Sequence, residues 1–478
     1  MAAKAQSIAE FVSAVKKGQI SVVEHAEAIL EEAEKANQRF HFFNEIAREH
    51  AMEQAREIDA GIKTGRHKGK LLGLPISVKD CICVKGVESR AGSKVLSGYK
   101  PLFDATAVER ARAEGAIIIG KTAQDEFGFG TFSNNVGLGF KRPLNPLNQR
   151  RCCGGSSGGS AGFTKFTGFA HASIGQSTGG SIACPASFCG VAGFTPTYGL
   201  VSRYGLIDYA NSLDKIGSIG KTVGDAALLL EAIAGYDPND STSLQHDSAG
   251  LGKAAIPEKM KFGIVKELFE KSDLPVKKGC MEAVKCLEKN GFSVEETSLP
   301  LNSEFGVAAY YLISTSEAST NLARFCGMRY GLHAELEGSF NEYFSKVRSL
   351  GFGEEAKRRI LLGTFARMAG FRDAYYLKAM KARTMLIKEF QKAFERFDVL
   401  LNPTMPIIAP KFEEIEELSP MQQYAMDLCT VPANLAGLPH ASVPVAEHDG
   451  MPIGMMITAG HLQEKKMAGA SLALEALK

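Results

Sequence analysis

Two glycine- and serine-rich blocks embedded in apolar sequence constrain this chain more than any other feature. The first reads Gly154-Gly155-Ser156-Ser157-Gly158-Gly159-Ser160-Ala161, the second Gly175-Gln176-Ser177-Thr178-Gly179-Gly180-Ser181-Ile182. A flexible linker of this composition is polar throughout. Here the run Ile182-Ala183-Cys184-Pro185-Ala186-Ser187-Phe188 follows directly, so the blocks belong to folded structure. Hydroxyls and bare backbone amides gathered in one small volume suit chemistry that needs a nucleophile and an oxyanion-binding pocket.

The sequence around the blocks alternates between strand and helix patterns. Leu74-Pro75-Ile76-Ser77-Val78 is a short apolar strand ending at Lys79-Asp80, and Ala116-Ile117-Ile118-Ile119 is another, closed by Gly120. Residues 105–114 read as a helix and 170–174 as a strand. Such alternation predicts an α/β sheet with helices on both faces. The first 65 residues read as helices, with Ser21 and Glu24 forming a capping box. A boundary candidate lies at Asp237-Pro238-Asn239-Asp240. Beyond it, 261–265 and 292–296 read as strands flanking a helix over 276–289, and 303–394 is mainly helical. Strand patterns return at 398–401 and 441–445, which predicts that the C-terminal strands complete the first sheet around an inserted helical lobe.

Composition excludes several classes. Lys plus Arg number 55 against 53 Asp plus Glu, so no basic surplus argues for charge-driven nucleic-acid binding. No signal core or run of about 18 apolar residues is present, which predicts a cytoplasmic protein without a membrane anchor. The ten cysteines are scattered. Neither Cys81-Ile82-Cys83 nor Cys152-Cys153 has a second ligand pair at zinc-like spacing, so buried thiols and no metal site are expected.

Three chemistries compete for the glycine blocks on residue types alone. A phosphate cradle lacks the Gly-Lys-Ser/Thr ending and the Gly-x-Gly-x-x-Gly spacing. A nucleophile elbow is matched formally at Gly154-x-Ser156-x-Gly158 and at Gly158-x-Ser160-x-Gly162, with His440 or His448 as a distant partner. The third is a serine–lysine hydrolase. Lys79 closes an apolar strand, where burial would lower its pKa and make it a competent base near neutrality. A lysine at a strand end can equally snorkel to solvent.

The ordered set Leu74-Pro75-Ile76-Ser77-Val78-Lys79-Asp80, the first glycine block and Thr178-Gly179-Gly180-Ser181-Ile182 resembles the amidase signature family. The resemblance continues through Gly190-Val191-Ala192-Gly193-Phe194-Thr195-Pro196-Thr197-Tyr198-Gly199 and covers nearly the whole chain. Within the family the chain is most similar to the A subunits of tRNA-dependent Asp/Glu amidotransferases. The stretches that carry this are 201–207, 316–324, Lys357-Arg358-Arg359-Ile360-Leu361-Leu362-Gly363-Thr364 and Asn434-Leu435-Ala436-Gly437-Leu438-Pro439.

The resemblance implies one domain over 1–478 around a central mixed sheet of about ten or more strands. Residues 1–65 would be an N-terminal helical segment, and about 300–396 a helical lobe forming part of the substrate pocket. It implies a triad of Lys79, Ser156 and Ser181, with Ser181 acylated and Ser156, in a cis peptide after Gly155, relaying its proton to neutral Lys79. Amides of Thr178, Gly179, Gly180 and Ser181 would form the oxyanion hole. Glutamine would be held by Arg359 and Asp427 with Tyr310 lining the pocket, although the adjacent duplicates Arg358 and Tyr311 leave the register open by one. Ammonia would pass to a tRNA-binding B subunit, with a small C subunit beside it. ATP and Mg²⁺ would act at that partner, with no cofactor in this chain, and the partner would make most contacts with charged tRNA. The alternative is a stand-alone amidase acting on small or aryl amides.

The chain departs from the usual family block Gly-Ser-Asp-Thr-Gly-Gly-Ser-Ile-Arg. Ser177 replaces the Asp, Ala183 the Arg, and Thr195 stands where Lys is common. Joint loss of both partners of a buried pair can be nearly neutral, so the replacement reads as a charge cluster exchanged for neutral residues.

Overall fold

One mixed sheet runs through the computed structural model, which describes residues 7–63 and 68–476. The first six residues and positions 64–65 of the N-terminal segment lie outside the described residues. The strands are β1 (Phe43–Ile46), β2 (Pro75–Lys79), β3 (Ile117–Thr122), β4 (Ala172–Ser177), β5 (Ala192–Thr195), β6 (Lys215–Gly220), β7 (Lys261–Val265), β8 (Ser293–Thr297), β9 (Val399–Pro403), β10 (His440–His448) and β11 (Met451–Ala459). Their spatial order, β1-β3-β2-β4-β6-β5-β10-β11-β9-β7-β8, makes a single sheet of eleven strands. The expected α/β class and mixed sheet are what the chain builds. β2 runs parallel to β3 and β4, and β7 parallel to β8 and β9, while the remaining neighbours are antiparallel.

Every residue of β2, β3, β4 and β6 is buried, as befits strands covered by helices on both faces. The C-terminal strands join the first sheet through the β5–β10 pairing, as expected. Residues 261–297 are no separate unit, because β7 pairs with β9 of that sheet. The lobe comprises helices Pro300–Asn321, Phe340–Gly351, Glu354–Arg367 and Lys378–Phe394. Among the described residues no helix is long and apolar enough to cross a membrane.

The N-terminal segment is not wholly helical. Helices Ile8–Lys16, Val22–Phe40 and Arg48–Lys63 are interrupted by β1, which pairs antiparallel with β3. Four residues are too few to show a period-two pattern. Strands β5 and β6 escape the sequence pattern because glycine depresses strand propensity. Close packing requires those glycines: a Cβ on Gly193 would stand 2.7 Å from the Ala186 Cβ, and one on Gly217 2.2 Å from the Phe194 carbonyl.

Candidate active site

The parallel register of β2 and β4 decides where the site forms. Val78 pairs with Ile174, so Lys79 at the end of β2 emerges at the same sheet edge as the 178–181 segment that leaves β4. Carboxyl ends of parallel strands are where open α/β sheets place their ligands. Ser156 reaches this edge from the turn before helix Gly158–Phe166, and the Gly155–Ser156 peptide is cis. A Cβ on Gly155 would stand 2.2 Å from Asp125 Oδ2, so only glycine fits there.

Lys79 is fully buried, and its Nζ lies 2.7 Å from Ser156 Oγ, 2.9 Å from the Gln176 carbonyl and 3.0 Å from Gln176 Oε1. Burial pushes the Lys79 ammonium down to about 8, while Cys81, Asp125 and Asp214 act to raise it. The lysine therefore points inward, not to solvent. Ser181 is held next to this pair, because its carbonyl accepts from the Ser157 amide at 3.2 Å. Ser181 is 7 % exposed, against 0 % for Ser156, and is the more open of the two serines. No described residue bonds its hydroxyl.

Beside Ser181 the backbone is bare. The amides of Gly179, Gly180 and Ser181 donate to no described residue, as an anion-binding loop requires. Close neighbours fix the loop: a Cβ on Gly179 would meet Tyr310 Oη at 2.8 Å, and one on Gly180 would meet Thr430 Oγ1 at 2.3 Å. The Asn434 side-chain amide donates to the Gly179 carbonyl, and also to His440 Nε2 at 3.2 Å. Thr178 is anchored through its hydroxyl, which donates to Asp214 Oδ1 at 2.6 Å.

The elbow reading has no such support. Ser160 lies inside a helix with its hydroxyl on Thr122 Oγ1 at 2.6 Å, and His448 sits at the solvent-exposed end of β10 against Asp449. His440 is buried, its Nδ1 donating to the Leu438 carbonyl.

The helical lobe delivers a polar cluster against the same loop. Arg359 is 2 % exposed; its Nε donates to Glu355 Oε1 at 2.8 Å and Nη1 to Tyr209 Oη at 2.7 Å. Nη2 has no hydrogen bond among the described residues. The guanidinium lies over the rings of Phe129, Tyr209, Tyr311 and Tyr424. Arg358 instead points outward, with a 41 % exposed side chain paired to Glu355. Asp427 accepts from Thr131 Oγ1 at 2.9 Å and Tyr311 Oη at 2.6 Å. Burial pushes its carboxyl up, against the lowering effect of those two hydroxyls. Tyr310 and Tyr311 thus divide the work, the first packing on Gly179 and the second holding Asp427.

The structure also brings in residues the sequence did not announce: Asp125, Gln176, Asp214, Glu355, Tyr209 and Tyr424. Asp125 accepts from the Ser133 and Asn135 amides at 3.0 and 2.9 Å, and burial raises it to about 6. The positions Ser177, Ala183 and Thr195, where the family block carries charge, lie inside the buried part of the sheet and the helix beside it. The Ser177 and Thr195 hydroxyls are buried without partners. Yet Lys215 stands opposite Ser177 in the β4–β6 register, fully buried, with Nζ donating to the Leu438 carbonyl at 2.8 Å. A buried lysine thus stands beside the block, supplied from another strand, and burial pushes its ammonium down to about 7.

The Amidase family model matches residues 24–467 of this chain. The chain belongs to the amidase family. Among its relatives in that family, the A subunit of the glutamyl-tRNA(Gln) amidotransferase from Archaeoglobus fulgidus is 46% identical over 441 residues, covering 92% of each chain. The protein of the same name from Gloeobacter violaceus is 44% identical over 473 residues, covering 98% of this chain and 96% of its own. Among solved structures, the A subunit of the glutamyl-tRNA(Gln) amidotransferase from Thermotoga maritima superposes with a TM-score of 0.77 at 33% identity, covering 98% of this chain and 94% of that one. The native peptide amidase of Stenotrophomonas maltophilia gives 0.80 at 26% identity, covering 98% and 96%. The fold is thus shared by both neighbours, and the TM-scores do not set one above the other.

Proposed function

We propose that this chain is the glutaminase subunit of a glutamine-dependent amidotransferase that acts on Glu-tRNA(Gln), Asp-tRNA(Asn) or both. In this reading Ser181 Oγ attacks the side-chain carboxamide of glutamine. Its proton passes to Ser156 Oγ, and the Ser156 proton to neutral Lys79 Nζ. The oxyanion is held by amides from Thr178 to Ser181, the C–N bond breaks, and the proton on Lys79 returns through Ser156 to the departing ammonia. Water then attacks the acyl-enzyme along the same proton path and releases glutamate. A buried lysine with its pKa near 8 suits such proton transfer, because a base works best when its pKa lies near the working pH.

The observation that carries the substrate assignment is the buried pair Arg359 and Asp427 beside the nucleophile loop. A guanidinium fork and a carboxylate are what the two charged ends of a free amino acid require. A stand-alone amidase for small or aryl amides has no need of both, although the superposition on a peptide amidase keeps that reading as the alternative. Ammonia passes to a tRNA-binding B subunit, with a small C subunit completing the complex. ATP and Mg²⁺ act at that partner, and the near-neutral charge of this chain fits a division in which the partner holds the tRNA.

The test is Ser181→Ala in the assembled complex, assayed with glutamine and separately with ammonia. Loss of the glutamine route with the ammonia route intact supports the reading. Retained glutamine use overturns the nucleophile assignment. Undiminished hydrolysis of aryl amides by an Arg359→Ala chain without partners would favour the alternative.

A further inference from the structure

Gln176 meets Lys79 twice. Its backbone carbonyl lies 2.9 Å from Nζ and its side-chain Oε1 lies 3.0 Å from the same atom, while Ser156 Oγ occupies the remaining direction at 2.7 Å. A neutral lysine amine has two N–H donors and one lone pair. Two acceptors from one residue take up both donors and leave the lone pair facing the serine. We propose that Gln176 is a positioning residue that aims the Lys79 lone pair at Ser156, and that Asp214 holds it in that orientation.

The amide of Gln176 has only one way to sit. Its Nε2 donates to Asp214 Oδ1 at 3.0 Å and to Thr178 Oγ1 at 2.8 Å, which turns Oε1 to Lys79. Asp214 is itself immobilised, since Oδ1 also accepts from the Thr178 hydroxyl and Oδ2 accepts from the Tyr209 and Ala210 amides at 2.8 and 3.0 Å. All three side chains are buried. The network couples the base to the first residue of the oxyanion loop through hydrogen bonds that no solvent competes for. Besides Asp214, the charged or titratable groups that act on Lys79 are Cys81 and Asp125.

This proposal rests on the Lys79–Ser156–Ser181 reading but not on glutamine as substrate. Its test therefore follows the rate at which a small phosphonofluoridate labels Ser181 as a function of pH, alongside KM for glutamine in the complex. Gln176→Met removes the second acceptor and keeps the volume. The labelling plateau should fall about tenfold or more, within the range a positioned base supplies. Its midpoint should move below that of the wild-type chain, because the cationic lysine loses an acceptor, while KM stays within about twofold. Asp214→Asn keeps Gln176 but presents an amide nitrogen where Nε2 needs an acceptor. That turns the Gln176 amide around, and the variant should show the same fall in plateau, with a midpoint at least as low because the Asp214 charge that raises Lys79 is lost as well. The double variant should cost no more than the larger single one, the mark of two residues acting through one interaction.

Wild-type plateau and midpoint in both variants would overturn the proposal. So would additive losses that track melting temperature, which a merely structural role produces. If Gln176→Met does not fold, Asp214→Asn carries the same comparison. A wild-type chain that fails to label at Ser181 sinks the catalytic reading and this proposal with it. Labelled wild type with unaffected variants sinks this proposal alone.

Discussion

Lys79 Nζ and Ser156 Oγ meet at 2.7 Å inside the sheet, where neither side chain reaches solvent. An ammonium there would have to be held charged without water, and among the described residues no carboxylate pairs with it directly, Asp125 and Asp214 acting only from further off. The buried amine is therefore poised to lose its proton, with its pKa pushed down to about 8.

The first prediction follows from that value. Only the neutral amine can take the Ser156 proton, so the acylation rate should climb about tenfold per pH unit below about 8 and level off above it. Lys79→Met should remove this limb and lower the plateau by about 10²- to 10⁴-fold. Stopped-flow acylation across pH 6 to 10 checks both (the range is roughly two units either side of the midpoint). A flat profile in the wild-type chain would contradict the assignment of Lys79 as base.

A second prediction separates two adjacent arginines. Arg359 is buried among four aromatic rings with Nη2 free, whereas the Arg358 side chain is 41 % exposed. Hydrogen bonds to a charged group contribute about 1.5–3 kcal/mol, so Arg359→Ala should raise KM for glutamine about 10- to 150-fold, and Arg359→Lys by an intermediate amount because the fork is lost. Arg358→Ala should change KM less than about twofold, as exposed ion pairs contribute little. Steady-state kinetics with glutamine reads the difference directly.

These predictions rest on features of unequal legibility in the sequence. The glycine blocks could be recognised because their composition is incompatible with a linker beside apolar sequence. Lys79, at a strand end, stands between base and snorkelling side chain by its position alone and is assigned by the family resemblance. Asp125, Gln176 and Asp214 could not be recognised. Each matters through contacts with chain segments that only the fold brings near, such as the 36-residue span from Thr178 to Asp214. Lys215 shows the same limit from the other side. Ser177 and Ala183 read as a charge cluster removed, and only the β4–β6 register reveals the buried lysine opposite Ser177. Strands β5 and β6 stayed hidden for a local reason, since the glycines that permit their close packing erase the strand signal.

The third prediction concerns the turn that presents Ser156. A methyl group at position 155 would stand 2.2 Å from Asp125 Oδ2 and 2.8 Å from both the Gly130 carbonyl and the Ser133 amide. These neighbours are backbone or a carboxylate fixed by two amides, so the turn must move. Gly155→Ala should cost about 1–3 kcal/mol of stability and abolish rapid labelling of Ser181, because Ser156 shifts from Lys79. Gly224→Ala serves as the control. Its added methyl has nothing nearer than 3.8 Å, in helix Val223–Ile233, and it should leave labelling unchanged while adding up to about 1 kcal/mol. Urea unfolding and probe labelling of the two variants decide the matter.

The fourth prediction uses the buried lysine beside the nucleophile block. Burial pushes Lys215 down to about 7, with Glu464 acting to raise it. The unfolded chain keeps this proton up to about pH 10.4. Between about 7 and 10 the unfolded state therefore binds more protons than the native one, and stability contributed by this residue rises with pH. Below about 7 both states hold the proton and the penalty of a buried cation is fully present. Lys215→Met keeps most of the volume and removes the charge, and replacing a buried ion by an apolar residue is often neutral or stabilising. The Leu438 carbonyl is not orphaned, since His440 Nδ1 also donates to it. The variant should thus equal or exceed the wild-type chain in urea midpoint at pH 7 and lose the gain that the wild type shows at pH 9. A wild-type midpoint that falls from pH 7 to 9, with the variant falling in parallel, would mean that Lys215 is charged in the native state and paired with Glu464.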